Sequence, residues 1–227
     1  MLPPLVLAPG RDEQVLDLAA APGSKTLQLA ALMGNTGSIA AVEAARPRFF
    51  RLRRNLALGG AANVRPYLRD GESVWRVCPE RFDRVLLDAP CSGEGRFSRR
   101  EPRSFAHWTM RSVRRLAARQ RRLLFSAVNS LKVGGVLVYS TCTLAPEENE
   151  EVVGWALARF GDALAVEPVD LPVPNQRPGL ERWEGRELQA ALAGARRVLP
   201  TRTMQAFFLC RLRKRRSTVQ RWLGQRR

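Results

Sequence analysis

Short apolar runs alternating with helical stretches constrain this chain more than any other feature. Val15–Leu18, Gly37–Val42, Val64–Leu68, Arg84–Leu87 and Val136–Ser140 read as short buried strands. Between them, Lys25–Met33 and Arg46–Leu58 carry helical patterns. Leu116, Leu123, Leu124, Ala127 and Leu131 recur at helical spacing and predict a long helix ended by Gly134-Gly135. Pro146-Glu147-Glu148 opens a further helix to about Phe160, with proline and acids in its first turn. This β-α-β-α order predicts a parallel sheet covered by helices. Leu171–Pro178 is proline-rich and expected as a loop, and Met204–Leu212 as a late strand at an antiparallel edge. The 227 residues fit one domain over 1–212 and a basic tail, Arg213–Arg227, frayed or a short amphipathic helix.

Several classes drop out at once. No apolar run approaches the ~18 residues of a membrane span. Met1-Leu2-Pro3-Pro4-Leu5 has neither the basic start nor the long apolar core of a secretory signal. The four cysteines, Cys78, Cys91, Cys142 and Cys210, show no C-x-x-C pairing and no dense spacing. Neither zinc nor a disulfide framework is expected, and free thiols in a reducing cytoplasm are. The net charge of +17 is the strongest global signal, carried by 38 basic residues of which only Lys25, Lys132 and Lys214 are lysines. Arg96 to Arg122 holds ten arginines and a single acid, Glu101. An ordinary charge run is a solvated helix face. The missing acids, and the nearness of Cys91, point instead to a nucleic-acid surface.

Three polar turns follow three of the strands, and in open α/β sheets the ligand crevice lies outside the carboxyl ends of the strands. The first is Asp17-Leu18-Ala19-Ala20-Ala21-Pro22-Gly23-Ser24-Lys25-Thr26. It lacks both G-x-G-x-x-G and the P-loop pattern, so dinucleotides and triphosphates lose support. Gly23 allows a ligand close to the backbone, and the helix start offers N–H groups to a carboxylate. Such a loop is as often a plain strand-helix turn. Glu43, ending the second strand, suits ribose hydroxyls, and Asp70, after the third, suits a nucleobase. Either alone would equally be a cap or turn residue. Taken together they match the carboxylate, ribose and adenine of S-adenosylmethionine.

The other two turns carry thiols: Asp88-Ala89-Pro90-Cys91-Ser92-Gly93-Glu94-Gly95 and Ser140-Thr141-Cys142-Thr143. Asp88-Ala89-Pro90-Cys91 departs from the Asp-Pro-Pro-aromatic turn that serves exocyclic amines. A thiol makes sense where the target is carbon. Pyrimidine C5 is a weak nucleophile, but thiolate addition at C6 makes an enamine that attacks a methyl sulfonium. An acid near N3 must stabilise the ring, for which Asp88 is the candidate, and a base must then remove the C5 proton. A lone buried cysteine is usually a small hydrophobe, which suits Cys78 and Cys210. His107, the single histidine, reads as a surface or RNA-facing residue.

Asp17–Thr26, Asp88–Gly95 and Ser140–Glu150 (STCTLAPEENE) resemble motifs of the RNA 5-methylcytosine methyltransferase family, which spans the bacterial ribosomal-RNA enzymes and the eukaryotic Nop2/Sun group. The resemblance runs from Met1 to about Lys214, and the joint presence of APCSGEG and STCT is its specific part. It implies a Rossmann-like methyltransferase fold, with a mostly parallel seven-stranded sheet and helices on both faces, and S-adenosylmethionine as cofactor. It implies Cys142 as the nucleophile at cytosine C6, a choice over Cys91 that the residues alone leave open. Cys91 would then assist release, and Asp88 would contact the base and the methyl-donor region. Ala19, Ala20, Ala21, Pro22, Gly23, Ser24 and Lys25, with Glu43, Arg48 and Asp70, match the family's cofactor-binding positions.

Family members usually carry an amino-terminal RNA-binding extension before the segment that Leu2-Pro3-Pro4-Leu5 matches, and some carry a carboxy-terminal RNA-binding module. The expectation here is a catalytic fragment or minimal form, or RNA affinity from the arginine surface alone. Ala19 also replaces a small thiol or polar residue common in the family. The expected substrate is RNA, ribosomal first and transfer RNA second, bound by a cytoplasmic monomer. One rival is a methyltransferase acting on an amine, and another a non-catalytic RNA-binding or ribosome-assembly protein on a methyltransferase scaffold.

Overall fold

The computed structural model describes residues 1–219, built around a nine-stranded sheet. Five strands run parallel: β1 (Gln14–Asp17), β2 (Ser38–Glu43), β3 (Val64–Leu68), β4 (Phe82–Asp88) and β5 (Leu131–Thr141), in spatial order β3-β2-β1-β4-β5. Helix α1 (Leu2–Leu7) precedes them, and α2 (Ser24–Leu32), α3 (Arg46–Leu58) and α4 (Met110–Ser130) connect them. After β5 come α5 (Glu150–Phe160), β6 (Leu164–Glu167), β7 (Gln176–Pro178), a hairpin of β8 (Arg182–Trp183) and β9 (Arg186–Glu187), β10 (Arg196–Val198) and β11 (Phe207–Lys214). β11 lies antiparallel to β5, and beyond it β10 and then β7 extend the sheet, while β6 pairs with its later half.

The central strands β1, β4 and β5 are apolar on both faces because both faces are covered, whereas β3, expected as buried, is an edge strand whose Arg65, Tyr67 and Leu68 are exposed. Leu16, Leu87, Tyr139 and Phe208 pack beneath α4 and α5. Their neighbours Val15, Leu86, Val138 and Leu209 point the other way, toward α1 and α2. Ala41 of β2 meets Leu52 and Leu56 of α3. Strand order reverses between β1 and β4, so the ends of β1, β2, β4 and β5 open onto one crevice.

The expected α/β class, with a parallel centre and helices on both faces, holds, but the sheet has nine strands rather than seven. Residues 171–178 are not all loop, since the last three form β7. β11 is antiparallel as expected but interior, clamped between β5 and its partners β10 and β6. The long helix stops at Ser130, short of the two glycines, and Leu131 already has strand dihedrals (φ −80°, ψ 134°). Its last turn is closed by Lys214, whose buried ammonium donates to the carbonyls of Val128 and Leu131 at 2.9 Å each. Gly135 is needed inside β5, where a Cβ would sit 2.9 Å from Asp83 O.

Pro146–Glu148 forms a separate 3-10 turn, and Asn149 (φ −113°, ψ −95°) breaks the chain before α5. The helix then opens on a buried pair. Arg197 of β10 donates to Glu150 through Nε (2.7 Å) and a terminal nitrogen (2.5 Å), and its other terminal nitrogen reaches Leu144 O at 2.9 Å. Arg213 and Lys214, expected in the tail, complete β11, and the next residues dock: Arg215 N donates to Ala163 O (2.8 Å) and Thr218 N to Glu80 (3.0 Å). The rest of the basic tail, residues 220–227, lies outside the described residues. Among the described residues no helix is long and apolar enough to cross a membrane.

Candidate active site

The loop after β1 is held from both sides. Asp17, fully buried, accepts from Thr26 Oγ1 at 2.7 Å, and burial pushes its carboxyl up to about 6. Ala20 N donates to Val42 O of β2 (2.9 Å), and Arg48 of α3 reaches back to Ala21 O (2.7 Å). Gly23, at φ 108°, starts α2 in a conformation that suits glycine. Glu43 accepts from Ala45 N (2.8 Å) and faces Arg48 Nε at 3.6 Å.

Ala19, Ala21, Pro22, Lys25, Glu43 and Arg48 line a cavity of about 410 Å³ that Asp88, Cys91 and Cys142 also border. That volume falls in the range of small-molecule sites, about 300–1,000 Å³. Ala20, Gly23 and Ser24 form the loop and helix start behind this wall. Asp70 is not part of it. Its exposed carboxylate accepts from Glu72 N (3.1 Å) and caps the 3-10 turn Gly71–Arg76, while Gly71 lines the cavity. A Cβ at Gly71 would strike Leu18 O at 2.8 Å, so the chain must pass close there.

Asp88 ends β4 with both oxygens engaged, by Lys25 Nζ (2.6 Å) and Ser140 Oγ (2.7 Å). Lys25 also stands 5.8 Å from the Phe207 ring centroid. The two thiols face each other across adjacent strand ends, Cys91 Sγ 3.2 Å from Cys142 Sγ, and Cys142 N donates to Cys91 Sγ at 3.3 Å. They are not equivalent. Cys142 is lowered to about 7, first by the hydrogen bond from Cys91 and then by the Arg96 and Lys25 charges, against its burial. That same bond, with burial, pushes Cys91 far above the ordinary thiol range. Of the two, Cys142 is the thiol disposed to ionise near neutral pH, with Cys91 keeping its proton and donating to it.

A buried network behind the thiols escaped sequence reasoning. Glu148 accepts from Ser92 N (3.0 Å), from Ser92 Oγ, and from Gln120 Nε2 of α4 (2.8 Å). Gln120 also donates to Pro90 O (2.9 Å), and Ser92 Oγ lies 2.9 Å from Thr143 Oγ1. The Glu148 carboxylate thus holds the Cys91 loop, Ser92 passes the tie on to Thr143 beside Cys142, and burial raises the Glu148 carboxyl. Glu148 reads in the sequence as a first-turn helix acid, and Gln120 as a polar residue among arginines. Arg96, Gln205 and Phe207 complete the cavity wall.

Residues 4–213 match the family profile described as 16S rRNA methyltransferase RsmB/F. The chain belongs to that family. It is 42% identical over 220 residues to the ribosomal RNA small subunit methyltransferase F of Serratia proteamaculans, covering 96% of this chain and 44% of that one. It is 43% identical over 216 residues to the tRNA (cytosine(49)-C(5))-methyltransferase of Pyrococcus abyssi, covering 94% and 68%. The chain thus spans less than half the length of the first of these family members. Among solved structures, a methyltransferase homolog from Pyrococcus horikoshii superposes with a TM-score of 0.80 at 38% identity, covering 93% and 65%. NSun6 from Pyrococcus horikoshii, solved with SFG, gives 0.78 at 32%, covering 95% and 52%.

Proposed function

We propose that this domain transfers a methyl group from S-adenosylmethionine to C5 of a cytosine in RNA, with Cys142 as nucleophile. The observation that carries this reading is the polarised thiol pair, 3.2 Å apart at the mouth of a cofactor-sized cavity. Support comes from the names of relatives, which act on small-subunit ribosomal RNA in one case and on tRNA cytosine C5 in another. SFG, an S-adenosylmethionine analogue, in the NSun6 structure supports the cofactor. Ribosomal RNA is the first substrate to test and transfer RNA the second.

The residues present fit the cofactor. Ala19 to Lys25 would hold its methionine end beside the start of α2, Glu43 and Arg48 its ribose, and the Gly71 side of the cavity, next to Asp70, its adenine. When bound, S-adenosylmethionine supplies an electrophilic methyl on a sulfonium. The Cys142 thiolate adds to C6, and the C5=C6 electrons become available at C5 for that methyl. Asp88, oriented by Lys25 and Ser140, can relay a proton from the Lys25 ammonium to N3 as charge gathers on the ring, and take it back when C5=C6 re-forms. Once the Cys142 sulfur is a thioether it no longer bears charge, so the largest cause holding the Cys91 proton is gone. Cys91 can then give its own proton to water in the open cavity, take the C5 proton and let Cys142 leave as thiolate while C5=C6 re-forms.

Methyl transfer should rise tenfold per pH unit below about 7 and level off above it, because the thiolate is the reactive form. Arg96→Ala should move that limb to higher pH, which single-turnover rates between pH 5.5 and 9 would show. The reading itself is tested by incubating the protein with ribosomal RNA and methyl-labelled S-adenosylmethionine, then digesting to nucleosides. Label in 5-methylcytidine is expected. Label on an exocyclic amine would overturn the carbon chemistry. RNA bound with steep salt dependence but unlabelled would favour a binding or assembly protein.

A further inference from the structure

The loop between β4 and α4 has an outward face that the chemistry above does not use. Phe97, Phe105 and Trp108 are each more than a third exposed, at 37%, 42% and 39%. With Ser98 and Arg99 they line an open hollow of about 320 Å³. The Phe97 and Phe105 rings stand 5.9 Å apart and tilted by 58°. Arg99 of the lining, and Arg100 and Arg103 on the same loop, are exposed and, among the described residues, form no ion pair. Exposed aromatic faces on a loop that also carries arginines outside any ion pair suit single-stranded nucleic acid, whose bases stack while its phosphates meet the arginines.

This hollow is tied to the nucleophile. Trp108 Nε1 donates to Glu94 Oε1 (2.9 Å), and the other Glu94 oxygen accepts from Leu144 N (3.3 Å), two residues past Cys142. Gly95 N donates to Cys142 O at 2.9 Å, and Gly95 O accepts from Ala206 N at 3.4 Å. A Cβ at Gly95 would lie 2.6 Å from Ala206 O and 2.9 Å from Cys142 O, so no other residue permits this approach. Arg96 lines the reaction cavity, and Phe97, the next residue, opens the hollow. The hollow is therefore held in fixed register with the cysteine, one residue along the chain from the target pocket.

We propose that this hollow is a subsite for an unpaired base adjacent to the target cytosine, stacked on Trp108 and Phe105 with flanking phosphates on Arg99, Arg100 and Arg103. The inference rests on the RNA reading of the site. It makes looped or single-stranded RNA the substrate form, since a base-paired neighbour keeps its stacking faces inside the duplex.

The test is a set of single-stranded oligoribonucleotides, each with one cytosine among uridines and one abasic residue stepped across three positions on either side. Binding and methyl transfer are measured for wild type, Trp108→Ala, Phe105→Ala and Trp108→Phe. Wild type should lose affinity about tenfold at one abasic position, the size expected for one stacked base. Trp108→Ala should lose the same on intact RNA and nothing more on that abasic RNA. Trp108→Phe should bind like wild type, and in Phe105→Ala KM should move while kcat stays within about twofold. Additive losses, or no sensitive abasic position, would overturn the proposal. Should Trp108→Ala fail to fold by circular dichroism, Phe105→Ala, altered at a more exposed ring, carries the same comparison. Stacking without any 5-methylcytidine would sink the catalytic reading and leave the subsite standing.

Discussion

Cys142→Ala is expected to abolish methyl transfer, by on the order of 10⁴-fold or more, while cofactor and RNA still bind. The size follows from what the sulfur does: without addition at C6, C5 has no electron pair to offer the methyl group. Cys91→Ala should behave differently. It leaves Cys142 in place but removes the thiol 3.2 Å away that is proposed to take the C5 proton. The adduct then forms and persists, and a protein–RNA species resistant to denaturation should accumulate on a denaturing gel. It should vanish in Cys91→Ala/Cys142→Ala. Because Cys91 also donates to the Cys142 thiolate, Cys91→Ala should form its adduct more slowly near neutral pH than at pH 9. An adduct that survives in Cys142→Ala and is lost in Cys91→Ala would reverse the two roles.

Glu150→Ala should destabilise the domain by about 3–5 kcal/mol, the usual result of leaving one partner of a buried ion pair alone. For a chain of this size that corresponds to roughly 6–20 °C in Tm. Arg197 and Glu150 expose only 9% and 0% of their side chains, so the remaining guanidinium would have no water to replace the carboxylate. Leu180 N, which donates to the same carboxylate at 3.0 Å, would be orphaned as well. The paired change Glu150→Leu/Arg197→Met should recover most of the loss, since no charge is then left buried. Thermal unfolding followed by circular dichroism would decide this. A Tm unchanged by Glu150→Ala would mean that the pair does not join α5 to β10.

Much of this was legible in the sequence because the parallel block is local in its logic. The central strands are continuous apolar runs that end in turns serving the crevice; α3 and β3 appear with the expected bounds, though β3 is an exposed edge rather than a buried strand. The failures share a cause too. β7 and β10 are three-residue strands that exist only because β11 offers an edge, and nothing within residues 171–198 announces them. The helix end at Ser130 depends on Lys214, some eighty residues later. Glu148 and Gln120 look like surface polar residues until the fold closes over them. Asp70 is marked both by its place after a strand and by the family resemblance, while its neighbour Gly71, whose close backbone approach no sequence pattern announces, lines that wall.

The position of β11 has a consequence for how the protein is made. Gln205 and Phe207 line the cavity, Ala206 pins Gly95 beside Cys142, and Lys214 closes the end of α4. A ribosome delivers these residues after every motif that carries the chemistry. The nascent chain can pair its five parallel strands early, yet it holds an open site and a reactive thiol without its final wall. Catalytic competence should therefore arrive in one late step, when β11 slots between β5 and β10, rather than grow with chain length.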